Sequence, residues 1–581
     1  MIKKIAAFVI VALAASYAAS CDLLDFEAPP DSNLPSSKEM SIDNSAPVSE
    51  VDFSGVSGSV SVRINNLENK SVYLVKYAAA RVPAGQTGYA VFNEYSAQPL
   101  AAAVSPERSA ASGVFTAGDG SVGVRYDHLA AQRFNGNPPP AFSGGASRVA
   151  AENAQAIRKV YTEDGSTGRF WVEADSSGKW IQTPAVLRAE SKYAAVWVAD
   201  ENFTQSASDD SADNKITREQ AESLASRFDV IYQKETPIFG HEYGGGDGGD
   251  GGLDGDLKIQ IFVYDIAGDY GREQTSGVFG YFWAKDFYTQ ADIDRMYNFE
   301  AKTNAAEIFY LDAHFADKYP DGAISTLAHE FQHMINFNEK AVKSSFKLSS
   351  ETWFDEMLSM LAEDIIDPLS GVAESEFPYN QRMPLFLNVY SECAPTTWLG
   401  GESALNSYAN SYAFGAYLTR NFGGARLIQE MMANGKVNEE SVAAAVNAVL
   451  PTADQGGDWD FVEILSRYGE ALIFSGKEKP SSVFSFDNTT IDTINGTEYT
   501  FTGFDIWRMD NPLAGQKLSF KYNMFYPSQG PLVIDAGYIV DMPKDTFVVQ
   551  SNAAWKNKTG SLTLTLRKPA SSAVAVFIMI K

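Results

Sequence analysis

Cysteine is nearly missing from this chain. There are two in 581 residues, Cys21 and Cys393, and the first falls in a leader-like start. A body left with Cys393 alone cannot close an intramolecular disulfide, so packed cores, with or without metals, must hold it together. The 45% hydrophobic content is enough for several such cores. Positive charge is also scarce, with 46 Lys and Arg against 73 Asp and Glu for a net charge of −27. That balance excludes a surface built for nucleic acid or anionic headgroups, both of which need clustered cations. No internal run approaches the length of apolar sequence that spans a bilayer, so nothing beyond the start is expected to cross one. Histidine is rare too, at five residues, which makes its placement informative.

The start carries Lys3 and Lys4, an apolar stretch over residues 5–15, and Ala18, Ala19 and Ser20 before Cys21. This is the pattern of an export signal. Because the cleavage point abuts Cys21, the segment resembles a lipobox. That resemblance implies residues 1–20 removed, Cys21 lipidated and an exported protein held at a membrane face through that anchor, with Ala18 in place of the commoner leucine and a released product as the alternative. Residues 21–48, rich in proline and serine, are expected to form a flexible stalk.

Alternating apolar positions at 58–64 and 72–75 predict strands in an N-terminal β-domain over 49–104. Residues 105–150, rich in Ala, Gly and Ser, are expected as a linker. Strands are predicted near 169–172 and 194–198, followed by a helix opening on a capping box at Thr217 and Gln220. Further strands are expected at 259–264, 278–283 and 307–312. Beyond 479, alternation at 561–566 and 573–580, with Asn495-Gly496 as a hairpin signal, predicts a C-terminal β-sandwich over 479–581. Between 244 and 256 glycines alternate with Asp247, Asp250, Asp254 and Asp256. Carboxylates so spaced can wrap Ca²⁺, although the order lacks the closing glutamate of an EF-hand, and an acidic surface turn is the plainer reading. His241 and His314 are expected to be structural.

The decisive motif is His329-Glu330-Phe331-Gln332-His333. Residues four apart share one face of a helix, so both imidazoles can reach one cation with Glu330 beside its water. Ile324, Leu327, Ala328, Phe331, Met334 and Ile335 supply an apolar stripe for the other face, with Asp321 and Ser325 as candidate caps after Pro320. A zinc site of this kind needs a third protein ligand and one open position. A second helix from Thr352, opening on what resembles a capping box with Asp355, offers Glu351, Asp355, Glu356 and Glu363. Periodicity does not choose among them.

His329-Glu330-x-x-His333 with Trp353-x-x-Glu356 after it resembles the gluzincin metallopeptidases. Asp355-Glu356 with Glu363 echoes the Asn-Glu-Gly run of their aminopeptidase branch, and Tyr412-x-x-Gly415 its Tyr-x-x-Gly. Within the group, residues 307–312, 326–337 and the Trp353 helix are most similar to the hyicolysin family. The resemblance implies an α+β multidomain protein with a zincin-type catalytic domain over 151–478, flanked by the two β-domains. It implies Zn²⁺ on His329, His333 and Glu356, with Glu330 as general base. Tyr412 would be the oxyanion donor, with Tyr408 one turn earlier as its rival, and Glu363 would orient His329 or His333. Two departures stand out. Met357 replaces the usual glycine after the ligand glutamate, and the Gly-x-Met-Glu-Asn segment that holds a free amine is missing, so an endopeptidase is expected rather than an aminopeptidase. The substrates implied are extracellular or surface proteins and peptides, taken by a monomer. A different class, a surface adhesin retaining an inert metallopeptidase core, is separated by zinc content and casein hydrolysis.

Overall fold

Two apolar runs, Ala194–Ala199 and Ile259–Tyr264, are buried along their whole length, because each is an interior strand covered on both faces. They pair in parallel, with Val196 opposite Ile261, at the centre of a seven-stranded mixed sheet. Its order is Gly280–Phe282, Ile308–Asp312, Ile259–Tyr264, Ala194–Ala199, Trp180–Glu190, Gly165–Glu173 and Val160–Thr162. The computed structural model describes residues 34–581 apart from 83–85, 88–89, 92–112, 117–121, 127, 141–159, 163–164, 175–178, 206–213, 267–275, 297–298, 401–402, 451–457, 477–478, 519–523 and 539. The strands expected at 169–172, 194–198, 259–264 and 307–312 all lie in this sheet. The one expected at 278–283 is divided. Ser276–Val278 pairs in parallel with Val122–Tyr126, while Gly280–Phe282 runs antiparallel to Ile308–Asp312 at the end of the large sheet.

Two helices pack on this sheet, and a third packs against both of them. Arg218–Phe239 opens on the expected capping box, the Thr217 hydroxyl accepting from the Gln220 amide at 3.2 Å and the Gln220 side chain accepting in return at 2.7 Å. Its Phe228 and Tyr232 rings meet Phe331 at 5.2 and 5.3 Å. Through Phe331 they anchor the motif helix, Pro320–Asn336. The third helix is Thr352–Ser370. Neither of the last two starts as the sequence suggests. Pro320, with no amide hydrogen to satisfy, opens the motif helix unaided. Asp321 instead accepts from the Ala373 amide at 3.0 Å, and Ser325 donates to Asp367 at 2.8 Å. Glu351 occupies the cap position of the third helix, so Asp355 is released from capping and faces the motif helix.

The two ends of the chain are not separate domains. Val72–Ala78 is buried at every position and needs a neighbour on each side, and the C-terminal segment supplies both, Thr546–Ser551 and Val574–Ile580. Likewise Ser59–Lys70 pairs antiparallel with Lys558–Arg567. The expected N- and C-terminal β-domains therefore share their sheets. Ser37–Asp43, expected within the stalk, runs parallel to Ser59–Lys70, and the expected linker holds strands Gly113–Thr116 and Val122–Tyr126 and the helix Leu129–Asn135. The hairpin at Asn495-Gly496 forms as expected, both residues at positive φ between Thr490–Ile494 and Thr497–Phe501. The signal segment 1–20, Cys21 and the stalk up to 33 lie outside the described residues. No helix among the described residues is long and apolar enough to cross a membrane.

Candidate metal centre

His329 and His333 project from the buried face of the motif helix toward Glu356 on the neighbouring one. Nε2 of His329 lies 3.2 Å and Nε2 of His333 3.6 Å from Oε2 of Glu356. All three side chains are buried, and their donor atoms lie within 4.8 Å of one another. The Glu356 Oε2 atom is shielded from solvent and has no hydrogen-bond partner. Two imidazole nitrogens and an orphaned carboxylate oxygen aimed at one point form the N,N,O set that holds a divalent ion with a fourth position open. Burial opposes the charge on Glu356, but the two imidazoles outweigh it and hold its carboxyl well below the usual carboxylate range. Burial also opposes the His333 imidazolium, yet Asp355 and Glu356 hold its pKa well above the ordinary value.

The outer nitrogens are fixed as well. Nδ1 of His329 lies 2.5 Å from Glu363, and Nδ1 of His333 lies 3.1 Å from Asp355 and 3.0 Å from the Ser359 hydroxyl. Outer partners of this kind set ring orientation and tautomer. Glu363 thus takes the place expected of it, on His329. Asp355, read from sequence as a capping residue, a candidate ligand and an echo of the family asparagine, proves to be the partner of His333.

Glu330 points into the same cavity, and its Oε2 accepts from the Phe282 amide at 2.8 Å. That contact needs the end strand to lie close on the motif helix, and Gly280 permits it. A Cβ there would stand 2.8 Å from Thr326 Cγ2 and 2.7 Å from the Tyr310 carbonyl oxygen. Met357 is accommodated in the same way, since a Cβ at Gly415 would come within 2.8 Å of its Cγ. The helix Ala404–Asn421 can therefore pack closely against the one bearing Glu356.

Tyr412 is not where the resemblance puts it. Its hydroxyl donates to Asp364 at 3.1 Å, and Asp364 is further held by Arg420 at 2.9 and 3.2 Å. This buried network turns Tyr412 away from the metal centre, and Tyr408 lines the cavity instead. The glycine-rich loop does not gather its carboxylates. Asp250 accepts from the Gly252 amide, Asp254 from Asp256 and Asp256 from Lys258, at 3.1, 2.8 and 3.2 Å. Each acid stabilises its own turn, and Asp247 is not drawn into a cluster. Among the described residues, the His329, His333 and Glu356 set is the only group of three or more such side chains close enough to hold an ion. His314 bonds Asn214 at 2.9 Å. Cys393 is buried beside Asn410, and burial pushes its thiol up to about 12.

Residues from the expected linker line the cavity too, namely His128, Gln132 and Asn135. Nothing in the local sequence could have placed them there, since their partners lie about 150 to 220 residues further along.

A buried His-His-Glu centre with a fixed glutamate beside it, beneath the edge of a mixed sheet, is a site of the metallopeptidase class. Residues 175–487, just over half of the chain, match the family model of peptidase M30. The chain belongs to that family, the hyicolysin family. It is 29% identical over 275 residues to the neutral metalloprotease ShpI of Staphylococcus hyicus, a match covering 46% of this chain and 54% of that protein. The chain thus spans about half the length of that relative.

Proposed function

We propose that the protein is a zinc-dependent endopeptidase, with His329, His333 and Glu356 as ligands and Glu330 as general base in a zincin-type domain. The observation that carries this reading is the convergence of three buried donors on one point, with the orphaned Glu356 oxygen among them. Zinc at that point would lower the pKa of a water and polarise the scissile carbonyl. Glu330, steadied by the Phe282 amide, takes the proton of the attacking water and returns it to the leaving amine. Tyr408, on the cavity wall, donates to the carbonyl oxygen as charge develops there.

The outer edge of Gly280–Phe282, with Ala284 just beyond it, receives the substrate as an added strand, through the Phe282 carbonyl and the Ala284 amide. Such backbone recognition takes an internal stretch of polypeptide, in keeping with the missing amine-anchoring segment. Extracellular or surface proteins are the substrates, reached by an exported chain anchored at Cys21.

The test is zinc content together with casein hydrolysis, comparing the natural chain with Glu330→Gln. Stoichiometric zinc in both, with the rate lowered roughly 10²–10⁴-fold in the variant, supports the reading. Zinc bound with no cleavage by either, and none by a chain in which Gln132 and Asn135 no longer bond to the cleft, overturns it in favour of an inert core, and equal cleavage by both removes Glu330 from its role.

A further inference from the structure

Across this cleft lies the short helix Leu129–Asn135, from the stretch that reads as linker. His128 caps it, accepting from the Ala131 amide at 3.2 Å, and its ring packs at a tilt against Tyr281 at 4.2 Å and Trp283 at 4.9 Å. Gln132 donates to Oε1 of Glu356 at 2.9 Å. Asn135 donates to the Phe282 carbonyl at 2.8 Å and accepts from the Ala284 amide at 2.8 Å. Beyond the helix, the carbonyls of Gly136 and Pro139 accept from Ser349 and Tyr288, each at 2.5 Å.

The Asn135 contacts are informative. A strand added to the edge would offer one N–H to the Phe282 carbonyl and one C=O to the Ala284 amide, with spacing set by the ladder. The Asn135 carboxamide offers the same donor and acceptor from a side chain. A peptide on that edge and Asn135 in this position are mutually exclusive. Gln132 meanwhile fills the space beside the ligand glutamate with a donor that cannot bind a metal. The occupant is helical, so its peptide groups bond to one another and are not extended across Glu330. It can fill the cleft without being cut.

We propose that residues 128–140 are a built-in, substrate-like occupant of the cleft that holds the protein latent, and that productive binding requires their displacement. This rests on the edge strand receiving substrate, as proposed above, and the test separates the two ideas.

The full zinc-loaded chain is compared with a Gln132→Met/Asn135→Leu variant, which keeps side-chain size and removes the three bonds. Three rates are read: hydrogen exchange at the Ala284 amide, zinc removal by excess 1,10-phenanthroline, and cleavage of a quenched peptide. The variant is expected to be faster by about tenfold or more in all three, and a synthetic peptide of residues 128–140 to slow its cleavage. Faster exchange and zinc removal with no cleavage by either protein supports the occupant and refutes the peptidase. Unchanged exchange and zinc removal in a folded variant refutes the occupant. Should the variant not fold, a peptide hydroxamate is added to the natural chain. Its binding must raise exchange across 129–135, and binding without that rise overturns the proposal.

Discussion

Oε1 of Glu363 stands 2.5 Å from Nδ1 of His329, on the side of the ring opposite Glu356. One carboxylate thus holds the ring while another shares the point at which its far nitrogen is aimed. Removing the holder should weaken the centre without deleting a donor. Glu363→Ala is expected to lower zinc affinity about 10- to 100-fold, and Glu363→Gln less, because an amide still bonds the ring. Competition with a chromophoric chelator measures both, and equal affinity in Glu363→Ala and the natural chain would refute the role.

Tyr408 and Tyr412 should separate cleanly. Tyr408→Phe is expected to lower kcat about 10²–10³-fold with KM little changed, as for the loss of one oxyanion donor. Tyr412→Phe removes only a buried hydrogen bond to Asp364, so kcat stays within about threefold while stability falls by about 1 kcal/mol. Steady-state kinetics beside urea unfolding decides, and the reverse pattern would restore Tyr412 to the site.

Arg420 is fully buried against Asp364 and also donates to the Thr502 carbonyl at 3.0 Å. Arg420→Ala should cost about 3–5 kcal/mol by stranding a buried carboxylate. The double replacement Asp364→Leu with Arg420→Met should cost less than the single change, because no lone charge remains. Equal losses in urea titrations would show that the pair matters through packing alone.

Lys76 lies inside the shared β-body, 2% exposed, and burial pushes its pKa down to about 7. The folded chain releases this proton near neutrality, while the unfolded chain keeps it until about pH 10.4. Stability contributed by this group therefore rises with pH between those values, and below about 7 the folded state carries the full cost of the buried ammonium. Lys76→Met should stabilise the protein by roughly 2 kcal/mol or more at about pH 6, with a smaller gain at about pH 9. A gain of the same size at both would disprove the assignment.

Much of the centre was legible because it is local. The i,i+4 spacing of His329 and His333 brings them together on any helix, and resemblance chose Glu356 where periodicity could not. The capping box at Thr217 and the turn at Asn495-Gly496 also formed as read, for each depends on residues within three positions of one another. Tyr412 was misplaced because its fate hangs on Arg420 and Asp364, which the motif does not contain. The flanking regions were misread as two domains because strand alternation marks which residues are buried and not which strands are neighbours.

By itself the sequence determined the pairing of His329 with His333 on one helix face, the helices around it and the shortage of disulfides and cations, since short-range geometry and composition suffice for these. Only the tertiary structure decided which tyrosine faces the cleft, that the two chain ends share sheets, and that Gln132 and Asn135 cover the metal centre. Those contacts join residues roughly 50 to 500 positions apart, and chain closure over such distances is set by the sum of all packing rather than by any neighbouring pattern.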